Sequence, residues 1–158
     1  MLSVASSEVI RVVDTDTPKE VIDTISGQFY EEKSRLLITG DLTFLDRAPT
    51  TPHADLAVWS TTLALLENLQ PSKIVPGHGP AETGSRAITQ TREWLETIDE
   101  IITKAYEKGL DILEAAAEPL PASLEQITLS RYEFERSVMH LYPKLESARL
   151  PAVGKKAD

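Results

Sequence analysis

The chain has 158 residues, 41% of them hydrophobic, enough for one buried core and too many for general disorder. With 25 acidic against 16 basic residues its formal charge is −9, which repels phosphate backbones and argues against nucleic acid as a partner. It has no cysteine, so disulfides, thiolate zinc sites and cysteine nucleophiles are excluded while the compartment stays open.

No run approaches the roughly 18–20 apolar residues that cross a bilayer, so no membrane span is expected. As written, the start Met1 to Glu8 lacks both a basic n-region and a long apolar h-region. That predicts a soluble, unexported, cytoplasmic chain; a truncated N-terminus would leave the periplasm open.

The β-branched stretch Glu8 to Asp14 predicts a strand ended by the Asp/Thr/Pro cluster Asp14 to Pro18, and Lys19 to Ile25 reads equally as a brief helix or a second strand. Gly27 to Tyr30, the charged turn Glu31 to Ser34, and Arg35 to Thr39 predict a hairpin. Its second strand is nearly all apolar and is therefore expected to be buried on both faces. Leu42 to His53, with Pro49, Pro52 and several threonines, predicts a loop over the site rather than a regular element.

From Asp55 the spacing of Leu56, Trp59, Leu63, Leu66 and Leu69 predicts a helix that stops before Pro71, and Lys73 to Val75 a parallel strand completing a βαβ unit. Ser85 to Lys108 is a long amphipathic helix with Ile88, Trp94, Leu95, Ile98, Ile101, Ile102 and Ala105 on its apolar side and Gly109 as its C-cap. Asp111 to Glu118 predicts a short helix, broken by Pro119 and Pro121, and Ser123 and Ser130 are candidate caps. Tyr132 to Leu145 predicts a last helix kinked or interrupted at Pro143, followed by a frayed tail after Leu150.

Two segments carry the chemistry. Leu36-Leu37-Ile38-Thr39-Gly40-Asp41 and Lys73-Ile74-Val75-Pro76-Gly77-His78-Gly79-Pro80 are each an apolar run ending in a glycine turn and a metal-competent side chain. Alone, Asp41 reads as a turn or cap carboxylate. His78 lies between glycines and prolines that offer no apolar pocket to pack it.

A catalytic zinc takes three protein ligands plus water, and the other histidines are only His53 and His140. His53, in Pro52-His53-Ala54-Asp55, reads as a loop residue before an Asp55 N-cap, with a replacement ligand as the competing reading. His140, among Val138, Leu141 and Tyr142, reads as a core or interface histidine. Trp59 and Trp94 fall on helical apolar stripes and are expected in the core, whereas Glu93, Glu96, Asp99 and Glu100 form a solvated face. Gly77-His78-Gly79 lacks the Lys and Ser/Thr of a phosphate-binding loop.

The two segments, in this order and with a helix between them, resemble the second half of the metallo-β-lactamase superfamily. Gln90-Thr91-Arg92-Glu93-Trp94-Leu95, Lys108-Gly109-Leu110-Asp111 and Glu135 to Pro143 are similar to its sulfur-oxidation-associated branch, the quinoprotein relay system zinc metallohydrolases. The likeness covers roughly Phe29 to Leu150. It implies an α/β (α+β) fold, the C-terminal half of an αβ/βα sandwich with a helical C-terminal extension. One partial domain would span residues 1–150, with an atypical segment at 1–27, a helical region at 85–150 and a flexible tail at 151–158.

The resemblance also implies that Asp41 is the carboxylate bridging two metal ions, zinc or iron, that His78 is the last histidine ligand, and that a metal-bound hydroxide attacks a small-molecule substrate. One departure is large: the family's His-x-His-x-Asp-His loop occurs nowhere in this sequence, so the missing ligands would come from an upstream sequence or another chain. Two functions follow from this. The first is a truncated metal-dependent hydrolase linked to sulfur-compound oxidation. The second is a catalytically inactive remnant or interaction module that forms homo-oligomers or pairs with a complementing N-terminal half.

Overall fold

The computed structural model describes residues 29–149 and the backbone of the two-residue strand β1 (Val12–Val13). The remainder of the expected Glu8 to Asp14 strand, the Lys19 to Ile25 stretch and the tail after Leu150 lie outside the described residues.

The hairpin forms where the sequence switches from apolar to charged and back. β2 (Phe29–Glu31) pairs antiparallel with β3 (Leu36–Phe44), Tyr30 facing Leu37 across the pair. The Glu31 carboxylate closes the turn by accepting the backbone N–H groups of Lys33 (3.0 Å) and Ser34 (2.7 Å). With the Ser34 hydroxyl as the largest influence, these bonds hold its pKa below the usual carboxylate value.

From β3 the chain crosses through α1 (Leu56–Asn68) to the parallel strand β4 (Lys73–His78), and then to a short antiparallel edge strand, β5 (Glu82–Thr83). The strand order is β1-β2-β3-β4-β5, with β1 parallel to β2, so the fold is mixed α/β with an α+β arrangement. Asp55 caps α1 by accepting the Val58 N–H at 3.0 Å. β4 runs three residues beyond the expected Val75 and carries His78 at its end, and β5 has no counterpart in the sequence pattern because two residues are too short to show a period.

Four helices follow: α2 (Arg86–Glu107), α3 (Ile112–Ala117), α4 (Ala122–Glu125) and α5 (Ser130–Arg149). The apolar stripe of α2 is buried at Ala87, Ile88, Trp94, Leu95, Ile98, Ile102 and Ala105, and Gly109 follows its Lys108 C-cap with a φ of +74°, a conformation suited to glycine. Asp111 and Glu114 form a capping box at the start of α3. α1 and α2 pack on β3 and on each other, and α3 and α5 pack behind α2. Each fully buried leucine in this core, such as Leu63 or Leu66, stabilises the fold by about 1.5–3 kcal/mol.

Several expectations are corrected. β3 is not buried on both faces: Tyr30, Leu37 and Ile74 are buried beneath the helices, but Ile38 on the opposite face is 37% exposed beside half-buried Phe29 and Val75. The loop expected from Leu42 begins only after Phe44, because the strand continues to that residue. Neither serine caps a helix start: Ser123 donates to Glu93, while the Ser130 hydroxyl donates to the carbonyl of Glu125, the last residue of α4, and so closes that helix's C-terminal end. Of the kink or interruption expected at Pro143, the interruption does not occur: α5 spans 20 residues with Pro143 inside it, since Phe134, Val138 and Tyr142 are buried and hold it across the missing hydrogen bond. Among the described residues, no helix is long and apolar enough to cross a membrane.

Candidate metal centre

β3 and β4 run in regular register through Ile38↔Val75, then lose it. Gly40 faces Pro76 and Phe44 faces His78, so β3 uses four steps where β4 uses two, and the extra residues around Asp41 bulge outward. Gly40 takes a φ of +50°, the left-handed conformation that starts the bulge. The bulge turns Asp41 to the rim, with its side chain 66% exposed.

His78 is fixed against this bulge by the glycines on either side of it. A Cβ on Gly77 would stand 2.4 Å from the Gly40 carbonyl carbon and 2.8 Å from the Asp41 nitrogen. One on Gly79 would meet the Leu45 carbonyl oxygen at 2.1 Å. Both positions therefore need glycine so that β4 can approach β3 closely, and the Leu45 N–H donates to the His78 carbonyl at 2.9 Å. The imidazole stacks on Phe44, with centroids 4.9 Å apart and 20° between the rings, and Phe44 in turn contacts Trp59 at 6.2 Å.

The helices satisfy the backbone groups that the bulge withdraws from the sheet. Trp59 Nε1 donates to the Leu42 carbonyl at 2.9 Å, and the Phe44 N–H donates to Thr91 Oγ1 at 2.9 Å. The buried hydroxyls of Thr39 and Thr43 lie 2.6 Å apart. Side chains from α1 and α2 thus hold an irregular strand end in place, as pairing a buried backbone group requires.

The outcome is one separation: His78 Nε2 lies 3.4 Å from Asp41 Oδ1. This is long for an N–H···O hydrogen bond. It matches two donors on one tetrahedral zinc, which at bond lengths of about 2.0–2.1 Å stand about 3.3–3.5 Å apart. Imidazole and carboxylate are the donor types that zinc and iron accept.

The pair fits a metal ion; the set does not complete a centre. Among the described residues, no group of three His, Cys, Asp or Glu side chains comes together. His53 does not join Asp41 and His78, and so is not their replacement ligand. Its ring lies 5.9 Å from that of His140, and both side chains are exposed, so His140 is not a core histidine as its apolar neighbours suggested. The bulge, the Phe44 stack and the Thr91 anchor were missed at the sequence level, and only the Gly-x-Gly spacing around His78 hinted at a close backbone approach. No protein-family model matches this sequence, and no curated protein matches it.

Proposed function

We propose that this chain carries part of the metal centre of a metallo-β-lactamase-type hydrolase, with Asp41 and His78 as two of its ligands and the rest supplied by an upstream sequence or a complementing chain. The observation that carries this reading is the 3.4 Å separation of Asp41 Oδ1 and His78 Nε2 across two strand ends otherwise distant in sequence. Asp41 contributes the anionic donor, His78 the neutral nitrogen, and Phe44 holds the imidazole plane. When bound, zinc or iron would act as a Lewis acid and lower the pKa of its water toward neutrality.

With two donors, turnover belongs to the complete assembly, and the substrate class is a small molecule with a hydrolysable ester, thioester, amide or sulfur centre. The resemblance to the sulfur-oxidation branch gives the first compounds to screen. A second reading, an oligomerising module without activity, is favoured by one observation, the exposed Ile38 on the face of the sheet opposite the buried Leu37 and Ile74.

The test is elemental analysis of protein purified without added zinc, with light scattering on the same sample. Zinc or iron near one or two per chain, lost in Asp41→Ala and His78→Ala, supports the hydrolase reading. Trace metal indifferent to both substitutions, in an oligomer that ignores chelators, overturns it in favour of the module.

A further inference from the structure

We infer that His53 and His140 form a second, separate metal site, a two-imidazole clip for a borderline divalent cation such as Cu²⁺, Ni²⁺ or Zn²⁺ that fastens the loop before α1 to α5. An imidazole centroid lies about 3.2 Å from an ion it ligates, so two such rings stand about 5.2 Å apart at a tetrahedral angle and about 6.4 Å apart when opposed. The observed 5.9 Å falls inside that range. Both side chains are exposed, and among the described residues neither ring takes part in a hydrogen bond, so their nitrogens are free to ligate.

The pairing follows from a zipper of contacts rather than from chance proximity on the surface. Thr50 Oγ1 donates to Glu133 Oε1 at 3.0 Å, Thr51 and Ser137 share a hydrogen bond of 2.5 Å, and Lys144 Nζ donates to the Pro52 carbonyl at 3.4 Å. Positions 133, 137, 140 and 144 are spaced by four, three and four, and so lie on one face of α5. The loop follows that face, and His53 reaches His140 where the zipper emerges from the core into solvent. A metal there would close a long stretch of chain, and binding only to the folded form would raise its stability.

Copper is the sharpest probe, because it heads the affinity order and its electron paramagnetic resonance reports bound nitrogen. The test uses the full chain carrying Asp41→Ala and His78→Ala, so that the proposed hydrolase ligands cannot contribute. In that background Cu²⁺ is expected to bind at one per chain with hyperfine coupling from two imidazole nitrogens, and Ni²⁺ to raise the thermal midpoint by a few degrees. Adding His53→Gln or His140→Gln should each remove one nitrogen and abolish the Ni²⁺ shift. Should the Asp41/His78 background not fold, the same titration is run on the otherwise unchanged chain, and His53→Gln must still remove one nitrogen. Copper binding unchanged by either glutamine substitution, or no two-nitrogen signal with metal in excess, overturns the inference.

Discussion

Phe44 stacks on His78, its ring 4.9 Å from the imidazole and tilted by 20°, and also lies 6.2 Å from the Trp59 ring of α1. The imidazole thus rests on a buried aromatic column rather than on a flexible loop, and its orientation is set by the core. Phe44→Ala should cost about 3–5 kcal/mol through the cavity it leaves, whereas Phe44→Leu should keep the fold and free the ring. Proton NMR of His78 in Phe44→Leu should lose the upfield ring-current shift. An unchanged shift would mean that the stack does not persist in solution.

Gly77→Ala places a methyl group in the Gly40 carbonyl, and two strands must separate to admit it. We expect a loss of about 2–4 kcal/mol in urea unfolding, with any metal bound at Asp41 and His78 lost as well. Gly84→Ala, where a Cβ meets nothing within 4 Å, carries only the cost of its φ of +99° and should lose about 1 kcal/mol. Equal losses at the two positions would refute the close approach.

Trp59→Phe keeps an aromatic six-membered ring but removes the pyrrole ring with the N–H that donates to the Leu42 carbonyl. Leaving that buried acceptor unpaired should cost about 1–3 kcal/mol and raise amide exchange around the Asp41 bulge. Exchange confined to α1 would show that the indole N–H does not hold the bulge.

Pro143 sits exposed inside α5, so Pro143→Ala removes no packing and restores a hydrogen bond to the preceding turn. Thermal unfolding should show a gain of about 1–3 kcal/mol. A loss would mean that the proline ring makes a contact the helix depends on.

Tyr142 is buried beside Tyr106 of α2, and its hydroxyl donates to the Leu110 carbonyl. Burial raises its pKa above the usual 10.0, with nearby Glu146 adding to the effect. The folded state therefore retains a proton that the unfolded chain releases. The stability this contributes is complete below pH 10 and is lost as pH rises toward the folded value. In Tyr142→Phe the alkaline loss measured by denaturant unfolding should be smaller; an identical slope would exclude Tyr142 as its source.

The helices were legible because their signals are local. The Trp59, Leu63 and Leu66 stripe, the Asp55 cap and the 22-residue amphipathic run of α2 each repeat with a period that burial against one partner enforces. Asp41 and His78 were legible as chemistry, a donor after a glycine at the end of each apolar run. The bulge between them was not, because register depends on both strands at once and on a carbonyl that only Gly77 lets approach. For His140, read as core or interface, exposure excludes the core, because periodicity identifies a helix face and says nothing of what covers it.

By itself the sequence determined the longer elements, the β2–β3 hairpin, α1, α2, α3 and α5, and which donors stand after the apolar runs of β3 and β4, whereas the short β5 and α4 left no signal in it. The tertiary structure alone decided that Asp41 and His78 meet at 3.4 Å, that His53 goes to His140, and that α5 runs on through Pro143. The division has a physical cause: propensity, capping and period act within a few residues of chain, whereas these three outcomes depend on packing between elements tens of residues apart.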